Sequence, residues 1–186
     1  MKGLGTKKLE TKRLILRRIE EKDYIKSYLN WTSDPLVTKY VTWNTHENEE
    51  VTREYFQSKV NKYRNDYYFD WLVVVKDSGE IIGEIEARAA KDHNLVEIGY
   101  CYGSRFWGKG YGTEALKAVI NYMFKEVEVR KILARHISTN PASGKVMEKA
   151  GMKLDGILKG YVVDKNTNSP EDFHMYSIDY EDWKNI

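Results

Sequence analysis

The chain has 186 residues, 41% of them hydrophobic, and its 30 Lys and Arg nearly cancel its 28 Asp and Glu, leaving a formal net charge of +2. This is the length of one domain with enough apolar material for a core, and the dispersed charge excludes the concentrated basic stripe of a nucleic-acid binder. No run approaches the ~20 apolar residues of a membrane span, Met1 to Lys8 lacks the apolar stretch of a secretory signal, and a lone Cys101 cannot build a disulfide framework, so the chain fits a reducing cytoplasm.

Leu9 to Ile19 sets apolar residues among basic ones in near alternation, which predicts a first strand. Tyr24, Ile25, Tyr28 and Leu29 share one face of a helix from Glu21 to Trp31, which Asp34-Pro35 interrupts. A second helix from about Glu47 to Arg64 follows from Val51, Tyr55, Phe56, Val60 and Tyr63. Tyr67 to Lys76 holds the unbroken run Trp71-Leu-Val-Val-Val75, which suits a strand covered on both faces. Asp77-Ser-Gly-Glu80 is a hairpin turn, and Ile81 to Ala89 alternates, with Glu84, Glu86 and Arg88 on its polar face. Leu95 to Tyr102 completes an antiparallel meander.

Leu116, Val119, Ile120, Met123 and Phe124 recur at helical spacing from Thr113 to Val127. Lys131 to Ile137 is the next strand, so strand, glycine loop, helix and strand form a crossover that places parallel neighbours side by side. Asn140 to Ala150 is a short helix closed by Gly151, and Leu154 to Val163 with Phe173 to Tyr180 form a long hairpin around the loop Asp164 to Pro170.

The stretch from Val96 to Ala115 reads as an anion cradle. Gly108, Gly110 and Gly112 leave backbone N–H groups free to converge on phosphate, ahead of a helix whose positive dipole end points the same way. Gly103-Ser-Arg-Phe-Trp-Gly108-Lys109 follows the nucleotide P-loop pattern until Gly110 replaces the hydroxyl that should hold Mg²⁺. Gly110-x-Gly112-x-x-Ala115 follows a dinucleotide fingerprint, but the strand Arg130 to Ile137 lacks its acidic residue.

A third pattern fits better. Arg105-Phe-Trp-Gly108-Lys-Gly110 resembles the R/Q-x-x-G-x-G/A loop of the GNAT acetyltransferases. Glu97-Ile-Gly-Tyr, Trp107-Gly-Lys-Gly-Tyr-Gly-Thr-Glu-Ala115, Asn140-Pro-Ala-Ser143, Glu148-Lys-Ala-Gly-Met152 and Met175-Tyr-Ser-Ile178 are similar to the RimJ/RimL-like subgroup, which includes the ribosomal-protein N-terminal acetyltransferases. The resemblance spans nearly the whole chain. It implies one α+β domain over residues 1–186, with a mostly antiparallel, splayed sheet of about seven strands flanked by helices.

The resemblance also implies acetyl-CoA as cosubstrate. Tyr100, Cys101 and Tyr102 would run along pantetheine, and Arg105, Phe106, Trp107, Gly108, Lys109, Gly110, Tyr111, Gly112 and Thr113 would surround the pyrophosphate. A backbone N–H near Tyr100 would polarise the acetyl carbonyl, worth about 3 kcal/mol for such a donor in other acyl-transfer enzymes. Asn140, which capping alone would also explain, would bind pantetheine, and Ser143 would face the thiol and protonate it.

The implied reaction is direct attack of an amine on the thioester, which needs a base or a water relay. Glu97 is the first candidate base and His136 the second. Gly160-Tyr161-Val162 offers no carboxylate where some relatives carry one, so Tyr161 is read instead as a substrate-binding group or proton donor. The acceptor is a protein N-terminal amine, or alternatively an aminoglycoside, polyamine or amino acid. A non-catalytic acyl-CoA-binding module is the reading outside the enzymes. The four scattered histidines imply no metal, no nucleic-acid or membrane partner is expected, and a homodimer is carried by the resemblance alone.

Overall fold

The computed structural model describes residues 1–165 and 167–185, so Asn166 of the expected hairpin loop lies outside the described residues. Eight strands form one sheet in the order β1-β2-β3-β4-β5-β6-β8-β7. They are β1 (Leu9–Glu10), β2 (Leu14–Arg17), β3 (Tyr68–Val75), β4 (Ile81–Ala90), β5 (Leu95–Tyr102), β6 (Lys131–Ile137), β7 (Lys153–Val163) and β8 (Pro170–Asp179). The fold is the expected mixed α and β architecture, with eight strands where about seven were expected, because the first strand is broken. Thr11 turns the chain there: its N–H donates to the Leu14 carbonyl (3.0 Å) and its hydroxyl accepts from the Leu14 N–H (2.9 Å).

The meander β2 to β5 is antiparallel, and β6 then runs parallel to β5. A register shift between Val73 and Val74 reverses the alternation of β4, so Ile82 joins Ile85 and Ala87 in one core and Ile81 faces the other. The larger core lies under α4 (Tyr111–Tyr122) and α5 (Pro141–Lys149), where Val96, Ile98, Ile132 and Ala134 of the sheet meet Leu116, Val119 and Met147. The smaller core is built from Trp31, Phe56, Leu72 and Cys101 on the opposite face.

That second face is covered by the segment before β3. The helix expected over Glu21 to Trp31 is irregular: a 3₁₀ turn at Glu21–Asp23, one α-turn at α1 (Tyr24–Ser27) and a π-turn at Tyr28–Thr32. After it come α2 (Pro35–Thr38), which the sequence reading did not contain, and α3 (Glu49–Lys62), capped by Asn48. Helix α4 starts two residues before its expected first residue and continues as a π-turn over Met123–Val127 that keeps Phe124 and Val127 buried. A short terminal helix α6 (Tyr180–Lys184) lay inside no expected element beyond Tyr180; the Asp179 side chain caps it. No helix among the described residues is long and apolar enough to cross a membrane.

Candidate active site

Parallel pairing of β5 with β6 begins at Leu95 and Lys131 and ends at Ile98 and Ala134, although β5 continues to Tyr102 and β6 to Ile137. Each strand keeps its other neighbour over that distance: Gly99 to Tyr102 pair with β4, and Arg135 to Ile137 pair with β8. The two strands therefore part. The wedge between them exposes one edge of backbone donors and acceptors on each side, a surface suited to an extended chain of amides.

The glycine loop stands at the β5 end of this wedge. After the 3₁₀ turn Ser104–Phe106, Gly108 (φ +75°) and Gly110 (φ +79°) take left-handed conformations that favour glycine. A Cβ on Gly108 would meet nothing within 4 Å, so the loop is open on that side. Glu114 N–H bonds the Gly110 carbonyl (3.1 Å), while the N–H groups of residues 111–113 begin the helix and have no preceding turn to donate to. Gly112 permits close packing on the strand, since a Cβ there would lie 3.2 Å from Tyr102. The cradle is thus of a kind that fits a pyrophosphate.

Arg13 and Glu114 hold the loop from behind. The Glu114 carboxylate accepts from the Thr11 hydroxyl (2.6 Å), the Arg13 N–H (2.8 Å) and Arg13 Nε (2.6 Å), and Arg13 Nη1 donates to the Lys109 carbonyl (2.9 Å). Burial acts to raise the Glu114 pKa, but these bonds outweigh it and hold the carboxyl below its ordinary value. Sequence reading missed this clamp because its partners are about a hundred residues apart. Arg105, expected beside the pyrophosphate, donates to Asn30 Oδ1 (2.7 Å) and Glu80 Oε1 (3.1 Å) at the exposed edge of the loop, and Lys109 Nζ lies 5.5 Å from the Phe106 ring centroid. Trp107 is exposed and its indole N–H bonds the Tyr102 carbonyl (2.7 Å), while Phe106 is buried.

Alternation along β5 sends Tyr100 and Tyr102 toward α4 and α5, and Glu97, Gly99 and Cys101 to the other face. The Tyr100 hydroxyl reaches across the wedge to α5, 2.9 Å from Ser143 Oγ and 3.0 Å from the Ser143 carbonyl. Burial pushes the Tyr100 phenol up, so it stays protonated. Asn140 caps α5, its Oδ1 accepting from Ser143 N–H (3.4 Å), with Pro141 as first helical residue. Beside it, His136 Nδ1 bonds the Ile137 carbonyl (2.8 Å), and burial lowers the imidazole pKa. Its buried Nε2 has no hydrogen-bond partner among the described residues.

On the opposite face Glu97 Oε1 is held by Arg135 Nε (3.0 Å) and Arg88 Nη2 (3.7 Å). Arg135 also lies over the Phe173 ring (4.8 Å to its centroid), and Phe173 packs on the exposed Tyr161 (5.7 Å). Glu97 and Tyr161 therefore belong to one surface and Ser143 to the other, with the wedge between them. Cys101 is buried with Sγ 3.9 Å from Glu84 Oε1, and burial pushes its thiol up, so it packs as a small hydrophobe. Trp43, His46 and Tyr55 cluster with ring centroids 5.1–6.4 Å apart on this side, and Lys165 of the β7–β8 loop donates to the Trp43 carbonyl.

A family profile for the acetyltransferase (GNAT) domain matches residues 13–153, which contain the loop, the wedge and α5. The chain belongs to the GNAT acetyltransferases. It is 31% identical over 175 residues to the uncharacterized N-acetyltransferase YnaD of Bacillus subtilis, covering 94% of this chain and 98% of that protein. It is 28% identical over 141 residues to the ribosomal-protein-serine acetyltransferase of Escherichia coli, covering 75% of this chain and 72% of that one. A crystal structure of a GNAT-family acetyltransferase from Bacillus anthracis superposes with a TM-score of 0.83 at 28% identity, over 94% of this chain and 99% of that one. This GNAT acetyltransferase is accordingly an enzyme of acetyl transfer, with the RimJ/RimL-like ribosomal-protein acetyltransferases among its relatives.

Proposed function

We propose that the protein transfers the acetyl group of acetyl-CoA directly to a primary amine, and that the amine is a protein N-terminus. One observation carries the reading: the β5–β6 pairing ends at Ile98 and Ala134 with the glycine cradle at the wedge's mouth. Pyrophosphate at Gly108 to Thr113 and pantetheine along Gly99 to Tyr102 then use a single continuous surface. The thioester comes to rest near Tyr100, where a free backbone N–H of the splayed edge polarises its carbonyl.

The Ser143 hydroxyl, in contact with the Tyr100 hydroxyl, supplies the proton that the departing sulfur takes up. Neither group is ionised for this; each passes a proton as a hydroxyl. A protein terminus is supported by the likeness to the ribosomal-protein-serine acetyltransferase. Incubation with acetyl-CoA and a panel of peptides, aminoglycosides, polyamines and amino acids, scored by free thiol, tests this. Thiol release with peptides is expected. Release only with a small amine overturns the protein acceptor, and acetyl-CoA binding without release from any amine overturns the catalytic reading.

A further inference from the structure

We propose that Arg135 selects acceptors that carry a carboxylate close to the reacting amine, which for a protein terminus means an acidic side chain in its first residues; the assignment rests on the acetyltransferase reading above. Arg135 follows Ala134, the last β6 residue to pair with β5, so it is the first residue on the β6 lip of the wedge. Its neighbours Ala134 and His136 are buried toward α5, and strand alternation gives Arg135 the other face. Ser143 serves the departing sulfur from the α5 side, which leaves this opposite face to the incoming amine. The segment before β3 leaves this end of the sheet open: the buried apolar residues beneath it come from β3, β4 and the end of β5, and none among the described residues comes from β6, β7 or β8.

A line of alternating charge leads across the apex of the wedge to Arg135. Glu86 of β4 contacts Arg88 Nε (3.4 Å), Arg88 Nη2 contacts Glu97 Oε1 of β5 (3.7 Å), and the same Glu97 oxygen contacts Arg135 Nε from the facing strand (3.0 Å). Arg88 thus has two carboxylates and Glu97 two guanidiniums, whereas Arg135, the last member, has one carboxylate and shares it. Its two Nη groups have no hydrogen-bond or ion-pair partner among the described residues. Other cations at this end of the sheet have carboxylates of their own, Lys131 with Asp155 (3.5 Å) and Lys159 with Asp172 (2.7 Å). The line passes over Gly99, where a Cβ would lie 3.2 Å from Arg88 Nη2, and Gly99 adjoins Tyr100, where the thioester rests.

Arg135 is also held ready to bind. Glu97 fixes Nε, and the guanidinium lies over the Phe173 ring, 4.8 Å from its centroid, while the side chain stays partly exposed. Two contacts in different directions hold the plane, so little rotamer freedom remains to be lost on binding. The Nη edge of a guanidinium held in this way matches both oxygens of a carboxylate, which adds the next charge to the line. A lysine side chain in the acceptor meets a cation there instead. The exposed Tyr161, packed on Phe173 (5.7 Å), extends the platform with a flat apolar surface for the acceptor's chain.

The test measures kcat/KM for matched peptides with Asp, Asn or Lys at the second and third positions, and for free amino acids, in full-length wild type, Arg135→Gln and Arg135→Lys. Wild type should favour Asp over Asn by about 10-fold or more, the scale of a charge-assisted hydrogen bond, and should disfavour Lys. Arg135→Gln should bring the Asp/Asn ratio close to one and Arg135→Lys should keep part of it, whereas a purely structural role would lower both peptides alike and leave the ratio. Free amino acids acetylated with the same dependence on Arg135 would support the selection, place the carboxylate beside the amine and overturn only the protein acceptor. An Asp/Asn ratio near one at both positions in a wild type that also refuses free amino acids overturns the proposal without any variant having to fold, and so does a ratio unchanged by Arg135→Gln. A wild type silent with every amine overturns the acetyltransferase reading, and calorimetric affinities of the same peptides for wild type and Arg135→Gln then decide on Arg135 alone.

Discussion

Gly144 shows how one missing atom serves the site. A Cβ there would lie 2.7 Å from His136 Nε2 and 3.1 Å from the Tyr176 hydroxyl, so the imidazole fills the volume that any side chain would need. Gly144→Ala must move the ring or the helix, an overpacking that costs about 1–3 kcal/mol; urea unfolding should show the loss, and unchanged stability would mean that α5 shifts freely. At Gly108 the space is open but the φ of +75° is not one most side chains adopt. Asn and Asp tolerate this conformation comparably, so Gly108→Asn isolates bulk while Gly108→Asp adds charge beside phosphate. Calorimetry should find acetyl-CoA binding weaker for Asp than for Asn, and equal affinities would place the pyrophosphate elsewhere. The glycine loop and the Asn140 cap were readable from spacing, because local backbone geometry imposes them, whereas Ser143 was singled out by the resemblance alone.

Between elements, long-range charge decides rigidity. Glu114 joins α4 to the β1–β2 turn through three hydrogen bonds from Thr11 and Arg13, and Arg13 in turn donates to the Lys109 carbonyl. Since the folded carboxyl sits below its ordinary value of 4.5, its contribution to stability is present above that pH and is lost as pH falls through the folded value. Unfolding free energy should fall with pH across this range in wild type and fall less in Glu114→Gln; an equal pH dependence would show that the clamp adds nothing. On the other face Lys59 of α3, 5% exposed, sits between Asp70 (2.6 Å) and Glu84 (3.4 Å). Removing it strands two buried carboxyls, and Lys59→Ala should cost about 3–5 kcal/mol, read by urea midpoint. Composition hid this network, because Lys59 reads as an ordinary solvated helix residue until α3 is docked on the sheet.

At the scale of the whole molecule, the meander, the crossover and the long hairpin were legible because their strands have clear apolar runs and their turns carry Gly, Asn or Asp. The irregular region before α3 was not. There a 3₁₀ turn, an α-turn and a π-turn follow one another, a choice made by packing of Trp31 and Phe56 (ring centroids 6.5 Å apart) rather than by local periodicity. Periodicity and spacing do not announce that β5 and β6 separate after four pairs, a splay that only the resemblance implied; each strand's outer partner, β4 or β8, is what holds them apart. That separation is the central claim about function. Its most direct test is residue-resolved amide hydrogen exchange with and without acetyl-CoA. The account predicts new protection in two places at once, along Gly99 to Tyr102 and across Gly108 to Thr113. Protection of the glycine loop with no change along Gly99 to Tyr102 would contradict it.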